Sequence, residues 1–262
     1  MKPALKPLIS GPSTPPDPVT PPPRIINNRR GKSCRTRRPE APLRSQEEGN
    51  GGRIWKTGQC DDRARRRSER RVKAAAFPRQ KLIRDFDFDS NPNVDPATIH
   101  TLTKCEWVKK GLPLCLIGDS GTGRSHLLIA LGTEAAIAGF RVKYVLATKL
   151  VNELVAAADE KQLTKTIARY GRVDLLCIDE LGYMELDRHG AELLFQVLTE
   201  REEKNSLAIA SNESFGGWTK TFTDPRLCAA IVDRLTFGGN IIETGTDSYR
   251  LQQTRARNES TG

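Results

Sequence analysis

From Leu112 onward the chain alternates short apolar runs with amphipathic segments, and this alternation constrains the fold more than any other feature. The apolar runs include "LPLCLIG", "VKYVLA", "VDLLCIDE" and "SLAIASN", and helix-like segments such as "SHLLIALGTEAAIAG" and "RHGAELLFQVLTEREEK" lie between them. Continuous apolar strands separated by helices are typical of a parallel sheet that is covered on both faces. The sequence therefore predicts an α/β fold with three layers.

A glycine-rich stretch, "GDSGTGRS", joins the first of these strands to the helix that follows it. It matches the phosphate-loop pattern G-x-x-x-x-G-K-[ST] at every fixed position except the lysine, where this chain has Arg124. Glycines let successive backbone N–H groups converge on an anion, and the helix dipole adds partial positive charge. We therefore expect this loop to bind nucleotide phosphates through Gly118, Asp119, Ser120, Gly121, Thr122, Gly123, Arg124, Ser125 and the following His126.

Two acidic residues end the apolar strand "LLCIDE", which lies well downstream of the loop. The hydroxyl of Ser125 is expected to bind Mg²⁺, and Asp179 is expected to hold the water shell of the same metal ion. Glu180 is expected to polarise the water that attacks the γ-phosphate. The loop and the acidic strand end together predict ATP and Mg²⁺ as cofactors.

Arg124 decides what kind of nucleotide site this is. Arginine keeps the positive charge and can donate to two phosphate oxygens, but its planar head is bulkier than the lysine ammonium. Nucleotide binding is therefore expected, with hydrolysis impaired. A working ATPase and a nucleotide binder that does not hydrolyse both remain open.

The positive charge of the chain is concentrated near its start. The formal net charge is +10, whereas the first 75 residues carry 19 Lys and Arg against 7 Asp and Glu, so the rest is slightly acidic. Eleven of the sixteen prolines precede Leu43, and proline resists both helix and sheet. Residues 1–58 are predicted to be a disordered basic tail, which either is simply solvated or tethers the protein to nucleic acid.

Three further segments complete the predicted organisation. Residues 59–77, with "DDRARRRSERRVKAAAF", are predicted to form a charged helix whose arginine face is either solvated or contacts DNA phosphates or a partner. Residues 78–251 are expected to form the ATP-binding core, and residues 252–262 a C-terminal tail.

Hydropathy and cysteine spacing give two negative expectations. The sequence has no apolar run of 18 residues and no signal-peptide pattern, so we expect a cytoplasmic protein without a membrane partner. The cysteines form no C-x-x-C pair, and they are expected to be reduced packing residues: Cys34, Cys60, Cys105, Cys115, Cys177 and Cys228.

Between Arg63 and Arg250 the chain resembles the IstB/DnaC-like family of AAA+ ATPases, in particular the transposase helpers of insertion sequences. The resemblance is carried by the phosphate loop and by "RRVKAAAFPRQKLIRDFDF", "LLCIDELGYMELDRHGAELLFQVLTERE", "IASNESFGGWTKTFTDPRLCAAIVDRL" and "GTDSYRL". It implies a P-loop NTPase fold, ATPase activity, a homo-oligomer with ATP, and duplex DNA and the transposase of the same element as partners. Residues 1–58 do not match the helical N-terminal domain that engages the transposase in this family.

The resemblance also implies roles in nucleotide binding for residues outside the loop. Asn212, which ends "IASN", resembles the polar residue that positions the attacking water, and a carboxamide can both donate and accept hydrogen bonds. Phe86 and Phe88 lie in the segment that closes over the base in this family. They either contact adenine or anchor the core.

Arg234, in "AAIVDRL", resembles the arginine finger that family members insert into the site of a neighbouring subunit. Such a finger contributes about 10³ to 10⁵ in rate. The alternative is an ion pair within the chain, with Asp233 or Glu243 as the partner.

A DNA-contacting helix is expected between the two nucleotide motifs. Lys161, Lys165 and Arg169 are spaced i, i+4 and i+8, which places them on one face of a helix. Phosphate contacts from these residues would be independent of DNA sequence. An ordinary solvated face is the alternative, because Asp159 and Glu160 lie close by.

Three functions are consistent with the sequence. The first is an ATP-dependent helper that oligomerises on DNA and regulates a transposase. The second is a nucleotide- and DNA-binding remnant that does not turn over ATP. The third is a loader of a replicative helicase.

Overall fold

The computed structural model describes residues 51–249 with the exception of 184, 203 and 247, and it describes side chains from residue 62 onward. Within this part of the chain one sheet has the strand order β2-β3-β4-β1-β5, and all its pairs are parallel. The predicted parallel α/β fold is confirmed. The strands are β1 (Leu114–Ile117), β2 (Val142–Leu146), β3 (Leu175–Leu181), β4 (Ser206–Ser211) and β5 (Asn240–Glu243).

Helices connect the strands and cover both faces of the sheet. Those of the first half are α1 (Gly51–Ala75), α2 (Pro96–Thr103), α3 (Glu106–Lys109), α4 (Arg124–Ala138) and α5 (Ala147–Asp159). Those of the second half are α6 (Leu163–Gly171), α7 (Arg188–Arg201), α8 (Trp218–Thr221) and α9 (Pro225–Thr236). Short 3₁₀ turns lie at Ile83–Asp85 and Phe215–Gly217.

Two hydrophobic clusters, one on each side of the sheet, form the core. Residues of α1 to α4, such as Ile99 and Leu128, build one cluster together with one face of the strands. Residues of α5 to α9, such as Leu154, Trp218 and Ile231, build the other cluster. All residues of β4 are buried, because a central parallel strand is covered on both faces.

The predicted segment boundaries agree only in part with the structure. Helix α1 spans Gly51–Ala75, whereas the sequence predicts the charged helix over residues 59–77. The rest of the predicted tail, residues 1–50, and the predicted C-terminal tail, residues 252–262, lie outside the described residues. Among the helices that are described, none is both long and apolar enough to cross a membrane.

Four cysteines lie in the two core clusters as free thiols. Burial raises the pKa of Cys115 and of Cys177 to about 12, so both thiols stay protonated and unreactive at neutral pH. Cys105 and Cys228 are also buried. Cys34 and the side chain of Cys60 lie outside the described residues.

Candidate nucleotide-binding site

The phosphate loop lies between the end of β1 and the start of α4, where the carboxyl ends of the neighbouring strands β4 and β5 also meet. The backbone N–H of Gly118 donates to the carbonyl of Ser211 at 3.2 Å, and that of Asp119 donates to the carbonyl of Gly245 at 2.9 Å. Ligands of open α/β sheets bind at this edge. The glycine-rich loop therefore lies at the edge of the sheet where ligands bind in folds of this kind.

Residues that follow β5, together with Asn91, form hydrogen bonds that hold the phosphate loop. The hydroxyl oxygens of Thr122 and Thr244 are 2.6 Å apart. The buried amide of Asn91 donates to the carbonyl of Thr122 at 2.8 Å and to that of Thr244 at 3.0 Å. The N–H of Tyr249 donates to the carbonyl of Gly121 at 3.1 Å. These contacts fix the loop conformation before any ligand binds.

Both the backbone conformation at Gly123 and the close approach of the Phe86 ring favour glycine at this position. Its φ of +95° lies in the left-handed region, and a Cβ at this position would lie 2.5 Å from the ring of Phe86. Gly123 is also the N-cap of α4, and no side-chain hydrogen bond caps this helix. In contrast, Asp95, Asp187 and Asp224 cap α2, α7 and α9. The first N–H groups of α4 therefore remain available to an anion.

Ser125 and Asp179 come together as the sequence predicts. The hydroxyl of Ser125 donates to Oδ1 of Asp179 at 3.0 Å, which links the first turn of α4 to the end of β3. Asp179 is 3% exposed. The N–H of Glu180 also donates to Oδ1, at 2.9 Å, and the hydroxyl of Tyr144 donates to Oδ2, at 2.8 Å. Three donors compensate this buried carboxylate for its lost hydration.

Tyr144 was missed by the sequence reasoning. It lies on β2 and is 8% exposed. Burial, followed by the charge and the hydrogen bond of Asp179, raises the pKa of its hydroxyl. The phenol therefore stays protonated at any ordinary pH and donates a hydrogen bond to Asp179.

Glu180 has a strained backbone at the mouth of the site. Its φ is +61°, in the left-handed region, and the pairing of β3 with β4 shifts register between Ile178 and Leu181. Such a conformation costs about 1–3 kcal/mol for a residue other than glycine. The irregularity leaves the side chain of Glu180 exposed while both neighbours, Asp179 and Leu181, are buried.

Asn212 follows β4 directly and lies beside the end of β3. A Cβ on Gly182 would be 2.7 Å from its Oδ1, so the two residues are in close contact. Oδ1 is buried and has no hydrogen-bond partner among the described residues. An unpaired buried acceptor costs about 1–3 kcal/mol, and a bound ligand or water can relieve that cost.

A cavity of about 280 Å³ joins the loop to the two carboxylates. Arg124 lines it and is 6% exposed, and no hydrogen bond or ion pair joins its guanidinium to another described residue. The predicted residues that line the cavity are Ser120, Gly121, Gly123, Arg124, Ser125, His126, Asp179 and Glu180. Gly118, Asp119, Thr122 and Asn212 are not among the lining residues. Residues that the sequence reasoning missed are Arg79, Lys81, Ile129, Tyr183 and Tyr249.

His126 and Phe86 connect the loop to the segment before α2. The Nε2 atom of His126 lies 2.9 Å from the carbonyl oxygen of Leu82, and burial lowers the pKa of the imidazole. The ring of Phe86 packs edge-on against His126, 5.4 Å between centroids, and against Phe88, 4.9 Å. Phe86 thus anchors this segment on the loop. Contact of either phenylalanine with adenine stays a prediction.

A family model described as IstB-like ATP binding protein matches residues 57–257, which include the loop, both carboxylates and Asn212. The chain belongs to this family. The resemblance found in the sequence motifs is confirmed.

Two curated relatives of this IstB-like chain show how far the similarity extends. An insertion-sequence ATP-binding protein of Sinorhizobium fredii is 37% identical over 190 residues, which are 72% of this chain and 64% of that relative. The ATP-binding protein of insertion sequence IS5376 of Geobacillus stearothermophilus is 35% identical, and the match covers 72% of this chain and 75% of the relative. The IstB-like chain therefore spans less than two thirds of the length of the first of these relatives.

Solved structures share the fold of the IstB-like chain. The DnaI protein superposes with a TM-score of 0.53 at 20% identity, covering 63% of this chain and 90% of that chain. AMPPCP-bound DnaA from Aquifex aeolicus superposes with a TM-score of 0.50 at 22% identity, covering 62% of this chain and 49% of that chain. The predicted AAA+ P-loop fold is confirmed.

Arg234 of the IstB-like chain lies on α9, in a separate cavity of about 200 Å³ that shares no lining residue with the nucleotide cavity. Its Nε donates to Glu202 at 2.8 Å, and its guanidinium lies 4.4 Å from the ring centre of Phe195. The alternative of an ion pair within the chain is therefore present, but its partner is Glu202 and not Asp233 or Glu243, because α9 packs against α7 and brings Glu202 within reach. A role as a finger in trans stays a prediction.

The predicted single helix through Lys161, Lys165 and Arg169 is wrong at its start. Helix α5 ends in a Schellman motif, in which Lys161 takes a φ of +58° and its N–H donates to Ala158. Only Lys165 and Arg169 lie on α6, and Arg169 forms an ion pair with Glu153. Contact with DNA at these residues stays a prediction.

Proposed function

We propose that this chain is the ATP-binding helper of an insertion sequence, which binds Mg²⁺-ATP and DNA as an oligomer and regulates the transposase of the same element. The observation that carries the proposal is the 3.0 Å hydrogen bond from Ser125 to Asp179. It brings the phosphate loop and the acidic strand end into one cavity. The family of ATP-binding proteins to which the chain belongs supports ATP as the ligand.

The phosphates would lie against the N-terminus of α4. The uncapped first turn offers backbone N–H groups and the positive end of the helix dipole. Arg124 adds a full positive charge from the wall of the same cavity. Arg79 and Lys81 line this cavity as well, so three cationic side chains face two carboxylates there.

The residues of the cavity fit a magnesium ion. The hydroxyl of Ser125 donates a hydrogen bond to Asp179, so its lone pairs stay free for a cation, and carboxylate and hydroxyl oxygens are ligands that Mg²⁺ prefers. Ser125 and Asp179 would hold the ion, directly or through its water shell. When bound, Mg²⁺ neutralises charge that develops on the phosphates.

Glu180 and Asn212 would act on the attacking water. The carboxylate of Glu180 is exposed and would accept a proton, and the Oδ1 of Asn212, which has no hydrogen-bond partner among the described residues, would orient a water molecule. Both residues lie at the carboxyl ends of adjacent strands, β3 and β4. This arrangement supports phosphate hydrolysis rather than binding alone.

Arg124 sets the rate in this proposal. Arg124 is buried at the start of α4, and its planar guanidinium is bulkier than the compact ammonium that a lysine would place near the bond that breaks. A displacement of a positioned group by about 1 Å costs on the order of 10²-fold in rate. We therefore propose that ATP binds while hydrolysis is slow.

The wider assembly rests on the family relationship. The names of both relatives connect them to insertion sequences, which supports a transposase as partner of this chain. Homo-oligomers would form with ATP, with Arg234 reaching the site of a neighbouring subunit. Duplex DNA would contact α6 through Lys165 and Arg169.

A nucleotide-binding remnant without turnover is the second candidate, and the observation that favours it is Arg124 itself. The third candidate, a helicase loader, predicts binding to a hexameric replicative helicase. Pull-down with that helicase separates the third candidate from the other two.

The test is steady-state and single-turnover ATP hydrolysis by the wild type and by Arg124→Lys, each with and without duplex DNA. We expect the variant to raise kcat at least tenfold, or about 1.4 kcal/mol, with little change in ATP affinity. Arg188→Lys, which makes the same change at an exposed position, serves as the matched control and should leave kcat unchanged. A wild type as fast as Arg124→Lys contradicts impaired hydrolysis, and two inactive proteins that still bind ATP favour the remnant.

A further inference from the structure

Tyr144 reaches the proposed metal site from a strand that carries none of the nucleotide motifs. It lies on β2, at the edge of the sheet, and pairs in register with Cys177 of β3. Side chains two residues apart on a strand point to the same face, so Cys177 and Asp179 share the face of Tyr144. The long tyrosine side chain therefore reaches from the level of Cys177 to that of Asp179, two residues farther along β3. Its hydroxyl donates to Oδ2 of Asp179 at 2.8 Å.

The hydrogen bonds of Asp179 are divided between its two oxygens. Oδ1 accepts from the hydroxyl of Ser125 and from the N–H of Glu180, whereas Oδ2 accepts from Tyr144. The two donors on Oδ1 belong to the loop helix and to the strand itself. Among the described residues Tyr144 is the one donor to the second oxygen, and its hydrogen bond restrains the rotation of the carboxylate plane.

We propose that Tyr144 is a positioning residue for the metal site, which holds Asp179 in the rotamer that presents Oδ1 to Ser125 and the metal ion. This inference rests on the proposed function, since it concerns the same Mg²⁺-ATP site. Without the phenol, Oδ2 loses this donor, and the two hydrogen bonds to Oδ1 are left to hold the carboxylate against rotation. The pre-formed geometry is then held less firmly at the moment when the metal ion binds.

The ring of Tyr144 also has a packing role, which must be separated from the role of its hydroxyl. The ring lies 5.9 Å from that of Phe77, between centroids, in the cluster that joins α1 and α4 to the sheet. Tyr144→Phe removes the hydroxyl and keeps the ring. Phe77→Leu loosens the ring contact and keeps the hydroxyl.

Tyr170 provides a matched control for the loss of a buried phenol. It is 3% exposed and its hydroxyl donates to a carboxylate oxygen of Glu153 at 2.5 Å, outside the nucleotide cavity. Tyr170→Phe therefore makes the same chemical change at a similar depth. A general effect of losing a tyrosine hydroxyl would appear in both variants.

The experiment measures the affinity of the full-length protein for the non-hydrolysable analogue AMPPCP as a function of Mg²⁺ concentration. For Tyr144→Phe we expect the Mg²⁺ concentration at half-maximal enhancement of binding to rise about five- to tenfold, with metal-free AMPPCP binding unchanged. Tyr170→Phe and Phe77→Leu should match the wild type in this readout. Thermal unfolding without nucleotide verifies that each variant is folded.

Three outcomes would overturn the inference. One is a Mg²⁺ dependence of Tyr144→Phe equal to that of the wild type, and another is an equal shift in Tyr170→Phe. The third is a shift in Phe77→Leu of the size expected for Tyr144→Phe, which would assign the effect to packing. If the wild type binds AMPPCP equally with and without Mg²⁺, the proposed metal site itself fails, and this result is distinct from the other three.

Discussion

Arg234→Ala separates a finger that acts in trans from an arginine that only stabilises its own chain. The structural contribution of Arg234 follows from its contacts: Nε donates to Glu202 at 2.8 Å, and the guanidinium lies over the ring of Phe195 at 4.4 Å. The side chains of Arg234 and Glu202 are 24% and 43% exposed, so solvent screens the pair to at most about 1 kcal/mol. The ring contact adds about 0.5–1 kcal/mol.

The variant should therefore lose about 1–2 kcal/mol in unfolding free energy. A domain with a stability of 5–15 kcal/mol stays almost entirely folded after such a loss. A finger in trans would instead lower turnover about 10³-fold or more. Glu202→Gln, which breaks the same ion pair and keeps the arginine, is the matched control and should retain full turnover.

The assay is ATP turnover in the Arg124→Lys background, in which hydrolysis is expected to be measurable. Arg234→Ala and Asp179→Ala are each expected to be inactive alone. Mixed subunits should recover activity, because an intact site of one chain then meets an intact finger of the other. A mixture no more active than its components, or a Glu202→Gln variant as inactive as Arg234→Ala, would show that Arg234 does not act as a finger in trans.

Two further predictions concern stability and DNA. Arg201→Met removes a buried guanidinium that donates to three backbone carbonyls within 3.0 Å, so we expect urea titration to give an unfolding free energy lower by about 4 kcal/mol. A loss below about 1 kcal/mol would contradict this role. Replacing Lys165 and Arg169 with Gln should lower the slope of log K against log salt for duplex DNA by about 2. An unchanged slope would direct attention to the arginines of α1.

The fold was predictable from the sequence where a pattern extends over several consecutive residues. Strands such as β3 and β4 are continuous apolar runs, and each nucleotide motif is a short string at a strand end. The start of α6 was not predictable from spacing, because Lys161 takes the left-handed position that glycine usually occupies at a helix end. β5 has only Ile241 and Ile242 as apolar residues, too few for a strand pattern.

The residues of the candidate site likewise divide into those that the sequence indicates and those that only the structure shows. Ser125, Asp179 and Glu180 could be proposed from the sequence because their residue types and their order along the chain match the nucleotide motifs. Tyr144 was missed because only the register of β2 on β3 brings its hydroxyl to Asp179. Contacts between residues far apart in sequence become visible only after the sheet order is known.

The proposal that the loop and the end of β3 form one Mg²⁺-ATP site is testable by equilibrium binding of a fluorescent ATP analogue. The variant is Ser125→Ala combined with Asp179→Ala, and the matched control combines Thr98→Ala with Asp95→Ala, a hydrogen-bonded cap pair outside the cavity.

We expect the double variant at Ser125 and Asp179 to bind the analogue at least tenfold more weakly than the wild type with Mg²⁺. Without metal the two proteins should bind alike, and the control should match the wild type throughout. Equal affinity of the wild type and the site variant in the presence of Mg²⁺ would show that Ser125 and Asp179 do not form the Mg²⁺-ATP site.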